Sequence, residues 1–502
     1  MLYYGLNDIP EDGVLVYEVD TDPLSLDPTC CSDYIGSIII QALYEPLYVR
    51  HVETGEWQLE GAEYCEISED GLTYTFDLKK DKKWSDGNPV VAEDFVFAWR
   101  RLADPATNSS LRVNISPILN ADEIDEGSLS SDQLGVYALD ERTLQLKLAY
   151  PIPYMEAMLG MCAASPLPSH YQLQPNLLFS VSNGPFYLTE YQTQQFVKLN
   201  VNNEYGVPST GSVTGIRFQI NGDLTTSLAN YQENIVHITC NTYFPYEQIQ
   251  KANEYADFYM EPSGILFFLQ FNRRRHPIFK DRLLREMLYQ MINKREVVQK
   301  LSGGLIAWEH FIPKTMWVWG TAIESTTMED EQQDQKAGEL SLPPLKILYS
   351  EFYPNREVLV EIQRVWEKVY GITIQLEGVG FEEFVQRTKE EDYDLCLQLV
   401  APSYSEPLGC FLSYLHDLDE DYANLLIEQL ERAINEPGQR DIGYQEADRL
   451  LREELPLLPL FNGYSLYFVK PTIQGYRLFP DGLVCFRSLV WIPLEENAER
   501  AY

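Results

Sequence analysis

Residues 82–105 read KKWSDGNPVVAEDFVFAWRRLADP, and the stretch poses a choice between chemistry and scaffold. Two lysines, a tryptophan, an Asp-Gly pair and several aromatic residues crowd together. Asp86-Gly87 predicts a turn after a strand that ends near Leu78, and Pro89 fixes the backbone ahead of a helix. Within that helix Phe95, Ala98, Trp99 and Leu102 share one stripe, which is the spacing of a buried face. Each conspicuous residue thus has a packing role, and the stretch reads as scaffold.

Working outward, LTYTFDL (72–78) sets Leu72, Tyr74, Phe76 and Leu78 against Thr73, Thr75 and Asp77, the alternation of a half-buried strand. TLQLKL (143–148) repeats that period with Leu144, Leu146 and Leu148, and VLVYEVD (14–20) reads as a further strand. LKILYS (345–350) is followed by an amphipathic run from Glu357 to Tyr370, with Val358, Ile362, Val365, Trp366 and Val369 on one stripe. Gly371 and ITIQLE (372–377) complete a strand-helix-strand unit with a glycine stop. After Pro277 a long helix is predicted, in which Leu284, Met287, Leu288, Met291 and Ile292 keep helical spacing. The middle and late chain is therefore an α/β lobe, and residues about 46–164 form a smaller, strand-rich one. The acidic run TTMEDEQQDQKAGEL (326–340) reads as a solvated surface segment. No repeats are visible.

A chain of 502 residues exceeds one hydrophobic core and suggests about three domains. Its 38 Lys+Arg against 76 Asp+Glu give a net charge of -38. Such a surface repels phosphate backbones and anionic membranes, so nucleic acid and lipid head groups are poor partners. No run of 18 apolar residues occurs, and the start MLYYGLNDIPEDG lacks a basic region followed by an apolar stretch. Eight cysteines, at 30, 31, 65, 162, 240, 396, 410 and 485, contain no CxxC pair and are too sparse for a disulfide scaffold; most are expected to be buried free thiols.

Catalytic machinery is hard to find. Six scattered histidines form no HExxH, and no GxSxG, GxxxxGK or post-strand GxGxxG occurs, so neither an enzyme nor a cofactor is expected. A glycosidase would need two facing carboxylates about 5–10 Å apart, and at this charge no pair stands out. In DLDEDYANLLIE (417–428), Asp417, Asp419, Asp421 and Glu428 match positions 1, 3, 5 and 12 of a calcium loop. Tyr422 stands where the bend needs glycine, so the reading is an acidic helix start favoured by the helix dipole, with no metal.

As a signature, TYTFDLKKDKKWSDGNPVVAEDFVFAWRRLADP resembles the extracytoplasmic solute-binding proteins of peptide-type ABC importers, the oligopeptide- and dipeptide-binding family, family 5. That family has strand, W-S-D-G-x-P-V-T-A-x-D turn and helix in this order; Val91 stands where threonine is usual, so a hydroxyl cap is missing. SLDP (25–28), ALYEPLY (42–48), NGPFYL (183–188), HPIFKDRLLREMLYQMINKREVV (276–298), YDLCLQ (393–398), SEP (405–407) and YQEADRLLREELPLLPL (444–460) follow in the family's order. The resemblance implies a bilobed, periplasmic-binding-protein-like α/β fold (type II, cluster C) with an extra small domain. Lobe I would comprise 1–45, 165–268 and 468–502, the small domain 46–164, and lobe II 269–467.

The resemblance further implies an importer's binding component that captures an extended peptide or peptide-like solute between its lobes and delivers it to the permease subunits. It implies a monomer working outside the cytoplasmic membrane, as a lipoprotein or free in a periplasm, its signal segment trimmed. Many peptide-binding members place an aspartate before a Y-x-E-P segment, where it pairs with the ligand's α-amino group. In VAPSYSEP (400–407) Ser403 holds that position, and Val400 falls where a tryptophan often precedes it. The candidate wall residues are Val400, Ala401 and Ser403 here, Ser32, Asp33 and Tyr34 near the N-terminus, Asn241 after the strand IVHITC, and Phe381 as a pocket aromatic. Asp33 could restore the missing charge. Plain alternatives are a core residue for Phe381 and a turn residue for Asn241. Without a matching amine anchor, a surface sensor or interaction protein that kept the fold is the other functional reading.

Overall fold

The computed structural model describes residues 2–5, 8–171, 180–206, 213–242, 244–317, 342–401, 406–436 and 438–493. Ser403 and the acidic run 326–340 lie outside these residues. The chain divides into two compact units. One comprises Met1–Phe244, Asn253–Tyr259 and Leu466–Tyr502, the other Pro245–Ala252 and Met260–Ser465.

In the first unit, Val14–Val19 pairs in parallel with Gly215–Ile220, and Phe196–Val201 and Phe186–Gln192 complete a four-stranded sheet. Leu15, Tyr17 and Val19 are buried, as the alternation requires. IVHITC is not a full strand. Its Ile238 makes single bridges, parallel to Tyr17 and antiparallel to Val469, and carries the segment alongside Val14–Val19.

The second sheet of this unit has the order Ala62–Ile67, Thr73–Leu78, Thr143–Lys147, Val136–Ala138, antiparallel throughout. Tyr74 lies opposite Leu146 and Phe76 opposite Leu144, which joins the two alternating apolar faces predicted from the sequence. Helix Ala92–Ala103 buries Phe95, Ala98, Trp99 and Leu102. Its N-cap, Val91, has no side-chain acceptor. Asp94, three residues on, accepts from the Val91 amide at 2.9 Å and from Trp84 Nε1 at 2.9 Å, so the missing hydroxyl cap is replaced from inside the helix. Gly87, at φ 86°, makes the turn that brings Trp84 there. Lys82 is engaged as well, 2.6 Å from Glu45 and 2.9 Å from Glu60.

The second unit holds most of a six-stranded sheet ordered Leu305–Ala307, Leu458–Phe468, Phe258–Phe271, Leu395–Val400, Leu345–Ser350, Ile374–Val379; Phe258, Tyr259 and residues 466–468 are counted with the first unit. The last three strands are mutually parallel. Between Leu345–Ser350 and Ile374–Val379 runs the predicted crossover helix, Asn355–Tyr370, stopped by Gly371 at φ 66°. Val358, Ile362 and Trp366 are buried with Leu359 and Tyr370, whereas Val365 and Val369 are half-buried at the edge of the stripe.

The helix after Pro277 is shorter than its periodicity suggests. Asp281 caps Arg282–Gln290, and Asn293 caps a separate helix, Lys294–Lys300. Leu284, Leu288, Met291 and Ile292 are buried, but Met287 is 41% exposed. Asp417 ends a 3-10 turn and Asp419 is the N-cap of Glu420–Asn435, so DLDEDY is a helix start and no calcium loop forms.

All eight cysteines are free thiols; Cys31, Cys240, Cys396, Cys410 and Cys485 are buried. Among the described residues no helix is long and apolar enough to cross a membrane, and no group of His, Cys, Asp and Glu could hold a metal ion.

Candidate ligand-binding site

Ligands of open α/β sheets sit beyond the carboxyl ends of parallel strands. In the first unit three parallel segments end side by side: Val14–Val19 at Asp20, Gly215–Ile220 at Asn221, and the bridged segment through Ile238 at Asn241. The helix Tyr34–Leu43 begins at the same place. Asn241 Nδ2 donates to the Tyr34 hydroxyl at 2.6 Å, so the structure brings two of the predicted wall residues together. Burial pushes the Tyr34 phenol up, which keeps it a neutral hydroxyl.

Asp33 is the N-cap of that helix. Its Oδ1 accepts from the Gly36 amide at 2.7 Å, and its Oδ2 from the Leu24 amide at 3.1 Å. Both oxygens thus serve the local backbone. Ser32 beside it is exposed.

Sequence reasoning missed Asp20 and Thr242. Asp20 Oδ2 accepts from the Thr242 hydroxyl at 2.7 Å, while its Oδ1 is buried with no hydrogen-bond partner. Burial raises the Asp20 pKa above the ordinary carboxylate value, and the charge of nearby Asp33 adds to the effect. The available signal was positional: Asp20 is the first residue past an alternating strand.

In the second unit the carboxyl ends of the three parallel strands are Ser350, Val379 and Val400. Val400 is half-buried and Ala401 exposed. Phe381 opens the helix Phe381–Lys389 and is 43% exposed, so the core reading does not hold for it. Its ring stands 5.7 Å from that of Phe352, which is 38% exposed and which the sequence did not single out. Two exposed phenylalanines just past strand ends thus form an apolar pair.

A larger cavity in this unit, about 370 Å³, is lined by Arg275, Lys346, Glu377, Arg387, Asp392 and Asp394. Its charges neutralise one another: Arg387 lies 3.1 Å from Glu377, and Arg275 and His276 lie 3.2 and 2.8 Å from Asp394. Lys346 is the second residue of one strand and Asp394 precedes another, so this part of the cavity lies at the amino ends of those strands.

The chain is similar to known proteins over nearly its whole length. The chain is 25% identical over 490 residues to the periplasmic oligopeptide-binding protein OppA of Salmonella typhimurium, covering 92% of this chain and 89% of that protein. It is 24% identical over 494 residues to the probable deoxycholate-binding periplasmic protein YgiS of Escherichia coli, covering 93% and 91%. The crystal structure of Haemophilus influenzae OppA in complex with RPPGFSPFR superposes with a TM-score of 0.84 at 23% identity, covering 97% of this chain and 100% of that one. That agreement fixes the α/β periplasmic-binding-protein fold. The model for bacterial extracellular solute-binding proteins, family 5 Middle, matches residues 56–421, well over half of the sequence, and the chain belongs to that family.

Proposed function

We propose that the protein captures an extended peptide or peptide-like solute outside the cytoplasmic membrane and delivers it to the permease subunits of an ABC importer, as a monomer and without turnover. The observation that carries the reading is near full-length similarity to an oligopeptide-binding protein within a family of extracellular solute-binding proteins. Both sets of strand ends suit the task. Tyr34 and Asn241 offer polar groups on one, and Phe352 with Phe381 offers apolar surface on the other. A peptide held mainly through its main chain tolerates varied side chains, and the exposed aromatic pair favours an apolar one. We read residues 46–164 as a small scaffold domain built around the Trp84–Asp94 anchor.

Thermal-shift screening of di- to octapeptides, with deoxycholate as a parallel arm, tests the reading. A ligand that binds only the native state adds RT ln(1 + [L]/Kd), about 2.7 kcal/mol at a hundredfold excess. At least one peptide class is expected to raise the melting temperature. Stabilisation by deoxycholate and by no peptide would replace the peptide with an amphipathic acid.

A further inference from the structure

We propose that Asp20 is the anchor for the ligand's ammonium group. The inference rests on the peptide reading above and adds the residue that fixes which end of the ligand binds where.

Three observations meet at this side chain. Oδ1 of Asp20 is buried with no hydrogen-bond partner, and Oδ2 has the Thr242 hydroxyl. Among the described residues no lysine, arginine or histidine pairs with it. An orphaned carboxylate oxygen in a protein interior is costly, and a cationic donor is the group that offsets that cost best.

The second observation is place. Asp20 follows Val14–Val19 and lies beside Asn241, where parallel segments end together and where the fold receives ligands. The third is company. Tyr34 accepts from Asn241, which leaves the tyrosine hydroxyl hydrogen and the Asn241 carbonyl oxygen to face a ligand. An ammonium carries three donors, and Asp20 Oδ1 with the Asn241 carbonyl supplies two acceptors of differing strength. The Tyr34 hydroxyl can donate to the first peptide carbonyl.

Asp33, the other acidic residue at this spot, does not fit the role. Its two oxygens already accept backbone amides that start a helix and close the turn at Leu24. It stays close enough to raise the Asp20 pKa, so the site concentrates negative charge with no cation of its own.

The test uses an equimolar library of tri- to pentapeptides in matched free and N-acetylated forms, with retained species quantified by native mass spectrometry. Wild type is expected to prefer the free amine by about ten- to hundredfold, the range of a charge-assisted hydrogen bond. Asp20→Asn is expected to bring that ratio near one, and Thr242→Val to lower it by a smaller factor. Asp33→Asn should keep the wild-type ratio once its melting temperature shows it folded. A preference that survives in Asp20→Asn, or one lost only in Asp33→Asn, overturns the assignment while leaving the peptide reading intact. Retention without any preference in wild type does the same. If wild type retains no library member, the assignment and the peptide reading fall together.

Discussion

Lowering the pH is expected to weaken the first unit through one residue, His237. The ring is 3% exposed and packs edge-on against Trp491 at 5.2 Å. Its Nδ1 accepts from the Val16 amide at 2.8 Å, which requires the neutral imidazole. Burial, aided by the charge of Lys470, lowers its pKa from 6.5 to about 4. Between those values the unfolded chain binds a proton that the native protein does not, so stability rises with pH across that window. The contribution is complete above pH 6.5 and is lost as pH falls towards 4. At 1.36 kcal/mol per pH unit it amounts to roughly 3 kcal/mol. The assay is urea unfolding from pH 7.5 to 4.5 for wild type and His237→Gln, because a two-unit chain full of carboxylates has other pH terms and only the difference isolates this one. Wild type should lose stability faster than the variant below pH 6.5. Parallel curves, or an imidazole that titrates above 6.5 by NMR with labelled histidine, would refute the reasoning.

Two further substitutions probe the scaffold. Asp94→Ala removes the acceptor of Trp84 Nε1, the Val91 amide and both the amide and hydroxyl of Ser169, all within 2.9 Å; a loss of roughly 3–5 kcal/mol is expected by denaturant titration, and less than about 1 kcal/mol would show that these donors find other partners. Gly184→Ala places a methyl group 2.7 Å from the backbone carbon and oxygen of Leu43, which cannot yield as a side chain would; the melting temperature should fall by several degrees, and an unchanged value would mean the helix end can shift.

The sequence showed those parts of the fold whose period comes from burial. Strands 73–78 and 143–147 and helix 355–370 each expose one apolar stripe to one core, and a local pattern suffices to see it. The same periodicity misplaced Met287, because helical spacing continues past the point where Asn293 starts a new helix and says nothing about what covers a stripe. IVHITC reads as a strand in the sequence, although residues 236–240 are all buried and the segment makes only isolated bridges, at Ile238. Of the proposed wall, Tyr34 and Asn241, which the structure brings into contact, were singled out through the family pattern. Asp20 was not, since its partner Thr242 lies 222 positions away and nothing local distinguishes it from the many carboxylates around it.

The motifs that identify the family meet at buried or half-buried polar joints. Asp27 of SLDP meets Arg101 of the helix in the opening signature at 2.8 Å. Asn183 of NGPFYL takes both the amide and the carbonyl of Glu45 in ALYEPLY, at 3.1 and 2.9 Å. Arg285, fully buried, joins Glu454 at 2.7 Å and the Leu455 carbonyl at 2.8 Å, tying the helix after Pro277 to the end of YQEADRLLREELPLLPL. Glu406 of SEP holds Tyr444 at 2.7 Å. Each joint is strongly specified, because removing one half leaves a buried charge or amide without its partner. The proposed ligand wall is under the opposite constraint. Phe352, Phe381 and Ala401 are exposed, and Asp20 holds one buried oxygen without a hydrogen-bond partner among the described residues. On the proposed reading such positions answer to the ligand and to no interior neighbour, so the joints announce the family while Asp20, Phe352 and Phe381 lie outside them.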